Sequence, residues 1–242
     1  MPAWLSTSEA VSRHISGERT KYVRFEHGLK LIMMNVCLQC GMYHADKIID
    51  PAGPFAICPE CGYQHPFTYL PLLIVSGASG TGKSAVCNQL TGRYQESVLL
   101  DSDILWRSEF NTPKDNYREY FETWLRVCKN ISQSGRPVVL FGAGAGVPEN
   151  LEGCIERRYF SSIRYLALVC SDEILSERLR QRPAWRGTGN AKYIEEHQRF
   201  NQWFIHYNKN ENQPPTTLLD TSQTSLEETT KEVEVWISKN QS

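Results

Sequence analysis

Residues 77–84 read Gly77-Ala78-Ser79-Gly80-Thr81-Gly82-Lys83-Ser84, followed by Ala85, the spacing of a phosphate-binding loop. Gly77, Gly80 and Gly82 let the backbone turn tightly and aim its N–H groups at an anion. Lys83 adds a point charge for the outer phosphates of a nucleotide, and Ser84 offers a hydroxyl to Mg²⁺. An apolar strand, Leu72 to Val75, precedes the loop, and the stretch from Ala85 to Leu90 can begin a helix whose N-terminal dipole also favours phosphate.

Two further groups of residues could act on whatever the loop holds. Val98-Leu99-Leu100 runs into Asp101-Ser102-Asp103, a second strand ending in two carboxylates. Carboxylates there can support Mg²⁺ through water and accept the proton of an attacking hydroxyl, so either Asp101 or Asp103 is a candidate base. Asp103 also precedes Ile104-Leu105-Trp106 as a helix N-cap would. Downstream, Arg178, Arg180, Arg182 and Arg186 fall within nine residues and are followed by Gly187 and Thr188. That composition suits a mobile lid over residues 178–190 that neutralises charge on a transferring phosphoryl group, with Arg182 and Arg186 first, then Arg178, while Arg180 faces solvent. Between them, residues 142–146 form a Gly-rich turn in which Gly144 lets substrate or backbone approach closely. Tyr117, Tyr120, Phe121 and Trp124 have helical spacing and read first as core, with one or two lining a pocket, and Arg118 is placed to grip an anionic acceptor. His197 and His206 have no partner pattern that points to catalysis.

Four cysteines make a separate constellation. Cys37-Leu38-Gln39-Cys40-Gly41 and Cys58-Pro59-Glu60-Cys61-Gly62 are two knuckles 17 residues apart. Each brings two thiolates to one side of a turn. Together they close a Cys₄ site that suits Zn²⁺, with iron as the lesser choice, and leaves no open position for chemistry. The metal is expected to be structural, because a ~60-residue segment poor in apolar helix needs a staple to fold. His44 and His65 read as surface residues. The arrangement resembles a zinc ribbon.

The elements that must position these groups fall in two parts. Residues 1–70 contain a short helix at 4–17, a hairpin over 21–34 and the ribbon; residues 71–242 alternate strand and helix. Apolar runs at 72–76, 97–100, 137–141, 163–169 and 216–219 predict five strands of a parallel α/β sheet. A capping box at Ser225-Leu226-Glu227-Glu228 opens a last helix over 225–238, and residues 200–207 read as a packed helix face. The ribbon enters at the N-terminal end of the first strand, whereas ligands of such sheets bind at the C-terminal ends, so it is expected away from the phosphates.

The 26 Lys plus Arg against 27 Asp plus Glu give no basic excess. Residues 1–70 hold six of each sign, so nucleic acid is disfavoured as a partner, and a protein contact such as a homodimer suits the ribbon at least as well. No apolar run reaches ~18 residues, which argues against a membrane span, and the paired cysteines suit a reducing cytoplasm.

Taken in order, residues 77–84, Asp101-Ser102-Asp103, the 142–146 turn, the arginines of 178–186 and Leu218-Leu219-Asp220-Thr221 resemble the nucleoside-monophosphate-kinase-like branch of P-loop kinases. That branch includes adenylate, shikimate and gluconate kinases and chloramphenicol phosphotransferase. The resemblance covers residues 72–238. It implies a five-stranded parallel sheet, a mobile lid, ATP·Mg²⁺ as donor and a small-molecule acceptor, with the loop after Leu219 packing on the adenine. The Asp pair is most similar to shikimate kinase, where the first Asp supports Mg²⁺ or acts as base and the second holds substrate hydroxyls. Those relatives do not ordinarily carry a zinc ribbon in front. The expected activity is therefore a small-molecule phosphotransferase, with a polynucleotide end kinase or a regulatory ATPase that controls a ribbon-mediated contact as alternatives.

Overall fold

A computed structural model of the chain describes residues 35–207 and 214–241, all within one compact unit, Leu31–Ser242. The helix expected at 4–17 and the hairpin expected at 21–34 lie outside the described residues. Beside the cysteines, β1 (Ile48–Asp50), β2 (Phe55–Ile57) and β3 (Gln64–Pro66) form a small antiparallel sheet in that order. The chain then enters β4 (Leu72–Ser76), the centre of a five-stranded parallel sheet with β5 (Val98–Asp101), β6 (Val138–Phe141), β7 (Ile163–Val169) and β8 (Thr216–Asp220). The strand order is β5-β6-β4-β7-β8. All five strands lie within one residue of the apolar runs that predicted them.

The continuous apolar run of β4 is buried on both faces because side chains alternate along a strand. Leu73 and Val75 pack with Val86 and Leu90 of α1 (Lys83–Leu90). Leu72 and Ile74 face the opposite layer, Trp124 and Leu125 of α2 (Arg118–Ser132) and Leu151 of α3 (Pro148–Glu152). Beyond β7 come α4 (Asp172–Arg180) and α5 (Ala191–Tyr207), and Phe204 of α5 packs on Ala167 and Val169. The last helix, α6 (Leu226–Asn240), joins α1 through Val233 and Ile237. Its start carries the expected capping box, with Glu228 N–H donating to Ser225 Oγ at 3.2 Å and Ser225 N–H donating to Glu228 Oε2 at 2.8 Å. From β4 the chain moves to one edge of the sheet, and from β7 to the other. A crevice therefore opens between the carboxyl ends of β4 and β7, where the phosphate loop stands. No helix among the described residues is long and apolar enough to cross a membrane.

The ribbon docks at the far end of α2 around a buried ion pair. Lys129 and Glu156 are both buried and form an ion pair; Glu156 Oε1 also accepts from Arg126 Nε at 2.9 Å. The Lys129 ammonium donates to Asn35 Oδ1 at 2.6 Å and lies 4.2 Å from the centre of the Tyr159 ring. Tyr159 in turn donates its hydroxyl to Ala45 O at 2.8 Å and packs with Ala56 of the small sheet and Phe67 just after it. His65, expected on the surface, is instead buried: strand alternation on β3 turns it inward opposite Ala56, where Lys47 Nζ lies 3.1 Å from its Nε2. Removing one partner of a buried pair leaves the other charge without compensation. Glu156→Ala is therefore expected to lower unfolding free energy by about 3–5 kcal/mol in urea melts. A loss below about 1 kcal/mol, the range of exposed pairs, would contradict this reading of the joint.

Candidate functional site

At the carboxyl end of β4 the loop adopts the positive φ its glycines were read for: 135° at Gly77, 97° at Gly80 and 106° at Gly82. Thr81 is buried and ties the loop across to Ala78 O at 3.0 Å. Lys83, the first residue of α1, folds back so that Nζ donates to Gly77 O at 2.6 Å and Ala78 O at 2.9 Å. Burial pulls its pKa down to about 8, Asp103 opposes that shift, and Arg182 adds to it. Ser84 is exposed at the helix start and lines the same cleft as Asp101 and Asp103, a donor set of hydroxyl and carboxylate oxygens that fits Mg²⁺. The cleft has a volume of about 380 Å³, and Arg178, Arg182 and Arg186 also reach it.

The two carboxylates have different duties. The cap role anticipated for Asp103 belongs to Asp101, whose Oδ1 accepts the Asp103 N–H at 2.9 Å where the 3₁₀ turn Ser102–Leu105 begins. Asp101 thereby fixes the backbone at Asp103. Burial and the neighbouring Asp101 raise the Asp103 pKa, and Lys83 partly offsets them.

The lid region is drawn onto the loop at Ser79. Arg182 donates to Ser79 Oγ at 2.8 Å, and Tyr193 OH lies 3.2 Å from the same oxygen. The Ser79 N–H donates to His197 Nδ1 at 3.3 Å. Burial, and then the Lys83 and Arg182 charges, depress the His197 pKa, so its ring is neutral and able to accept. His197 and Tyr193 are residues of the cleft that the sequence reading missed. Their one visible signal is position, one turn apart on the helix that follows the lid. Arg178 is fixed, with Nη1 donating to Thr221 Oγ1 at 2.9 Å and Nη2 to Thr221 O at 2.7 Å. Arg178 also lines a second hollow of about 260 Å³ bounded by Val86, Thr221, Thr224 and Leu226.

On the other side of Asp103 lies a cavity of about 410 Å³ lined by Trp106, Tyr117, Tyr120, Phe121 and Gly144, closed by Phe200 from α5. Three of the four aromatics read at helical spacing reach it, Tyr117 just before α2 and Tyr120 and Phe121 within it, more than the one or two expected, while Trp124 is wholly core. Arg118 does not line it. One step along a helix turns a side chain by about 100°, and Arg118 donates instead to Cys154 Sγ at 3.2 Å.

Residues 72–205 match a family profile described as an AAA domain. The chain belongs to the AAA domain family. Two crystal structures are similar to this AAA domain protein. A sugar kinase from Janibacter sp. HTCC2649 shares 13% identity, with 72% of this chain and 95% of that chain covered and a TM-score of 0.49. A gluconokinase from Sinorhizobium meliloti 1021 shares 18% identity, with 72% and 94% covered and a TM-score of 0.46. Among curated proteins, none matches the sequence.

Ahead of the AAA domain, Cys37, Cys40, Cys58 and Cys61 bring their four sulfurs within 4.8 Å of one another. Cys37–Cys61 and Cys40–Cys58 are 3.6 and 3.8 Å apart, against an edge of about 3.8 Å for a tetrahedron with Zn–S bonds of ~2.3 Å. The knuckles are built alike: Gly41 N–H donates to Cys37 O and Gly62 N–H to Cys58 O, both at 2.9 Å. The donor set fits a structural Zn²⁺. Zinc removal is expected to lower the melting temperature by about 5 °C or more, reversed by one equivalent of zinc. An unchanged melting curve would refute a structural metal. At the cleft, a bound polyphosphate restores the charge that burial takes from Lys83. Nucleotide binding should therefore take up a growing fraction of one proton between about pH 7 and pH 9, read by calorimetry in buffers of different ionisation enthalpy. No uptake near pH 9 would contradict the depressed Lys83.

Proposed function

We propose that this protein is an ATP-dependent phosphotransferase acting on a small-molecule hydroxyl. One observation carries the reading: Asp103 lines both the phosphate cleft and the aromatic cavity, so one carboxylate faces donor and acceptor at once. The base of the nucleotide takes the hollow beside Val86 and Leu226, against the flat guanidinium of Arg178, and the phosphates take the loop.

Lys83 holds the outer phosphates, and Ser84 with the carboxylates would hold Mg²⁺, which when bound draws charge from the phosphate oxygens. Asp101 orients Asp103. Asp103 accepts the proton of the acceptor hydroxyl as its oxygen bonds to phosphorus; the bond from phosphorus to the bridging oxygen breaks, and its electron pair leaves with ADP. Arg182 and Arg186 offset charge on the transferring group, and the contacts at Ser79 bring the lid down to exclude water. The raised pKa of Asp103 makes it a stronger base toward the acceptor hydroxyl.

Lys83→Ala is expected to lower acceptor-dependent ATP turnover by about 100-fold or more while leaving the cysteine metal content unchanged. Full turnover in that variant, measured by coupled ADP release with metal analysis alongside, would sink the mechanism.

A further inference from the structure

The cavity beyond Asp103 has a one-sided electrostatic character. Among the described residues that line it there is no Lys, Arg or His, and Asp103 is the one carboxylate. Nearby cations are turned elsewhere: Arg118 to Cys154, Arg107 over the Phe110 ring at 4.9 Å, Lys83 to the carbonyls of its own loop. An anionic group entering this space would lose its hydration, meet no compensating charge and face Asp103.

The walls offer ring surface instead. Trp106 and Tyr120 meet edge to face with centroids 5.3 Å apart, and Tyr117 and Phe121 do so at 6.5 Å. The Tyr120 hydroxyl is occupied by Ser102 O at 2.5 Å, so Tyr120 presents its ring rather than its oxygen. Asn150 donates to Gly144 O at 2.8 Å, which leaves its carbonyl oxygen as an acceptor for a hydroxyl.

A second, independent observation concerns the backbone. Asn116 and Tyr117 have φ of 49° and 52°, two consecutive left-handed residues at the start of α2. For a bulky aromatic this region is strained, and such strain persists where surrounding structure holds a side chain in a working position. Here it sets the Tyr117 ring at the cavity wall.

Resting on the phosphotransferase reading of Asp103, we infer that the acceptor is a non-anionic alcohol with a flat apolar face, and that Tyr117 determines this specificity. The flat face is either an aromatic ring or the C–H face of a sugar; both stack on these walls, and neither needs a cation.

The test uses the full chain with Mg²⁺ and the non-hydrolysable analogue AMP-PNP filling the donor site. Calorimetry compares three matched pairs: thymidine with thymidine 5′-monophosphate, phenethyl alcohol with phenylacetate, and methyl glucoside with glucuronate. The neutral member of a binding pair is expected to bind about tenfold or more tightly than its anionic counterpart. The pairs that bind distinguish an aromatic from a sugar face. Asn111→Lys, a change at an exposed rim position, should narrow or reverse the preference. Tyr117→Ala should weaken the neutral members by about tenfold, with AMP-PNP affinity as the folding control. Equal or tighter binding of the anionic members, or no binding by any of the six at millimolar concentration, overturns the inference. Because Lys83-dependent turnover is read separately, either outcome leaves the phosphotransferase reading to its own test.

Discussion

The active end of this protein depends on a steric junction with no room for a β-carbon. One added at Gly142 would lie 2.2 Å from Ser102 Oγ, and one at Gly146 would lie 2.1 Å from Ser76 Oγ. These contacts press the turn after β6 against the ends of β5 and β4 at once. Ser76 Oγ adds a hydrogen bond to Ala143 O at 2.9 Å, and Ser102 O accepts from both Tyr120 OH at 2.5 Å and Trp124 Nε1 at 3.2 Å. The phosphate loop, the two carboxylates and the aromatic helix are thereby held in one register. A displacement of any of them would separate donor from acceptor, and phosphoryl transfer is sensitive to such displacement. The Gly-rich turn was expected to let substrate or backbone approach closely; at Gly142 and Gly146 the approaching group is a serine side chain of the protein itself.

Helix α2 transmits this order to the rest of the molecule. Its N-cap Tyr117 and its residues Tyr120 and Phe121 wall the cavity, its middle buries Trp124 and Leu125, and Lys129 near its end pairs with Glu156 and donates to Asn35 beside the ribbon. The ribbon stands at the end of the sheet away from the phosphates. There it closes over the buried Lys129–Glu156 pair, and Asn35 accepts a hydrogen bond from the Lys129 ammonium. The arginine-rich segment after α4 is built mostly from exposed residues instead. Trp185 is 81% exposed, and the region's attachment to the loop rests on polar contacts at Ser79, which can be exchanged when nucleotide arrives.

What was legible in the sequence was whatever rests on local chemistry. The loop glycines, the apolar strands, the capping box at Ser225 and the two cysteine knuckles are each set by neighbours a few residues away. What escaped depends on distant partners. His197 has meaning only because Ser79 meets it across 118 residues, and His65 only because Lys47 and the sheet register enclose it. Arg118 was misplaced for a subtler reason: helical spacing located the right helix, but a single residue step decides which way a side chain leaves it. Asp101 and Asp103 could not be separated until the 3₁₀ turn showed which one holds the other.

In the proposed reaction, phosphate crosses Asp103 from the loop to the aromatic cavity. This transfer is tested most directly by ³¹P NMR of wild type and Asp103→Asn incubated with Mg·ATP and the neutral alcohols that bind the cavity. A new phosphomonoester signal is expected with the wild type, and its loss in the variant although ATP still binds. Release of inorganic phosphate alone by the wild type, or an undiminished ester signal from Asp103→Asn, would contradict the proposed reaction.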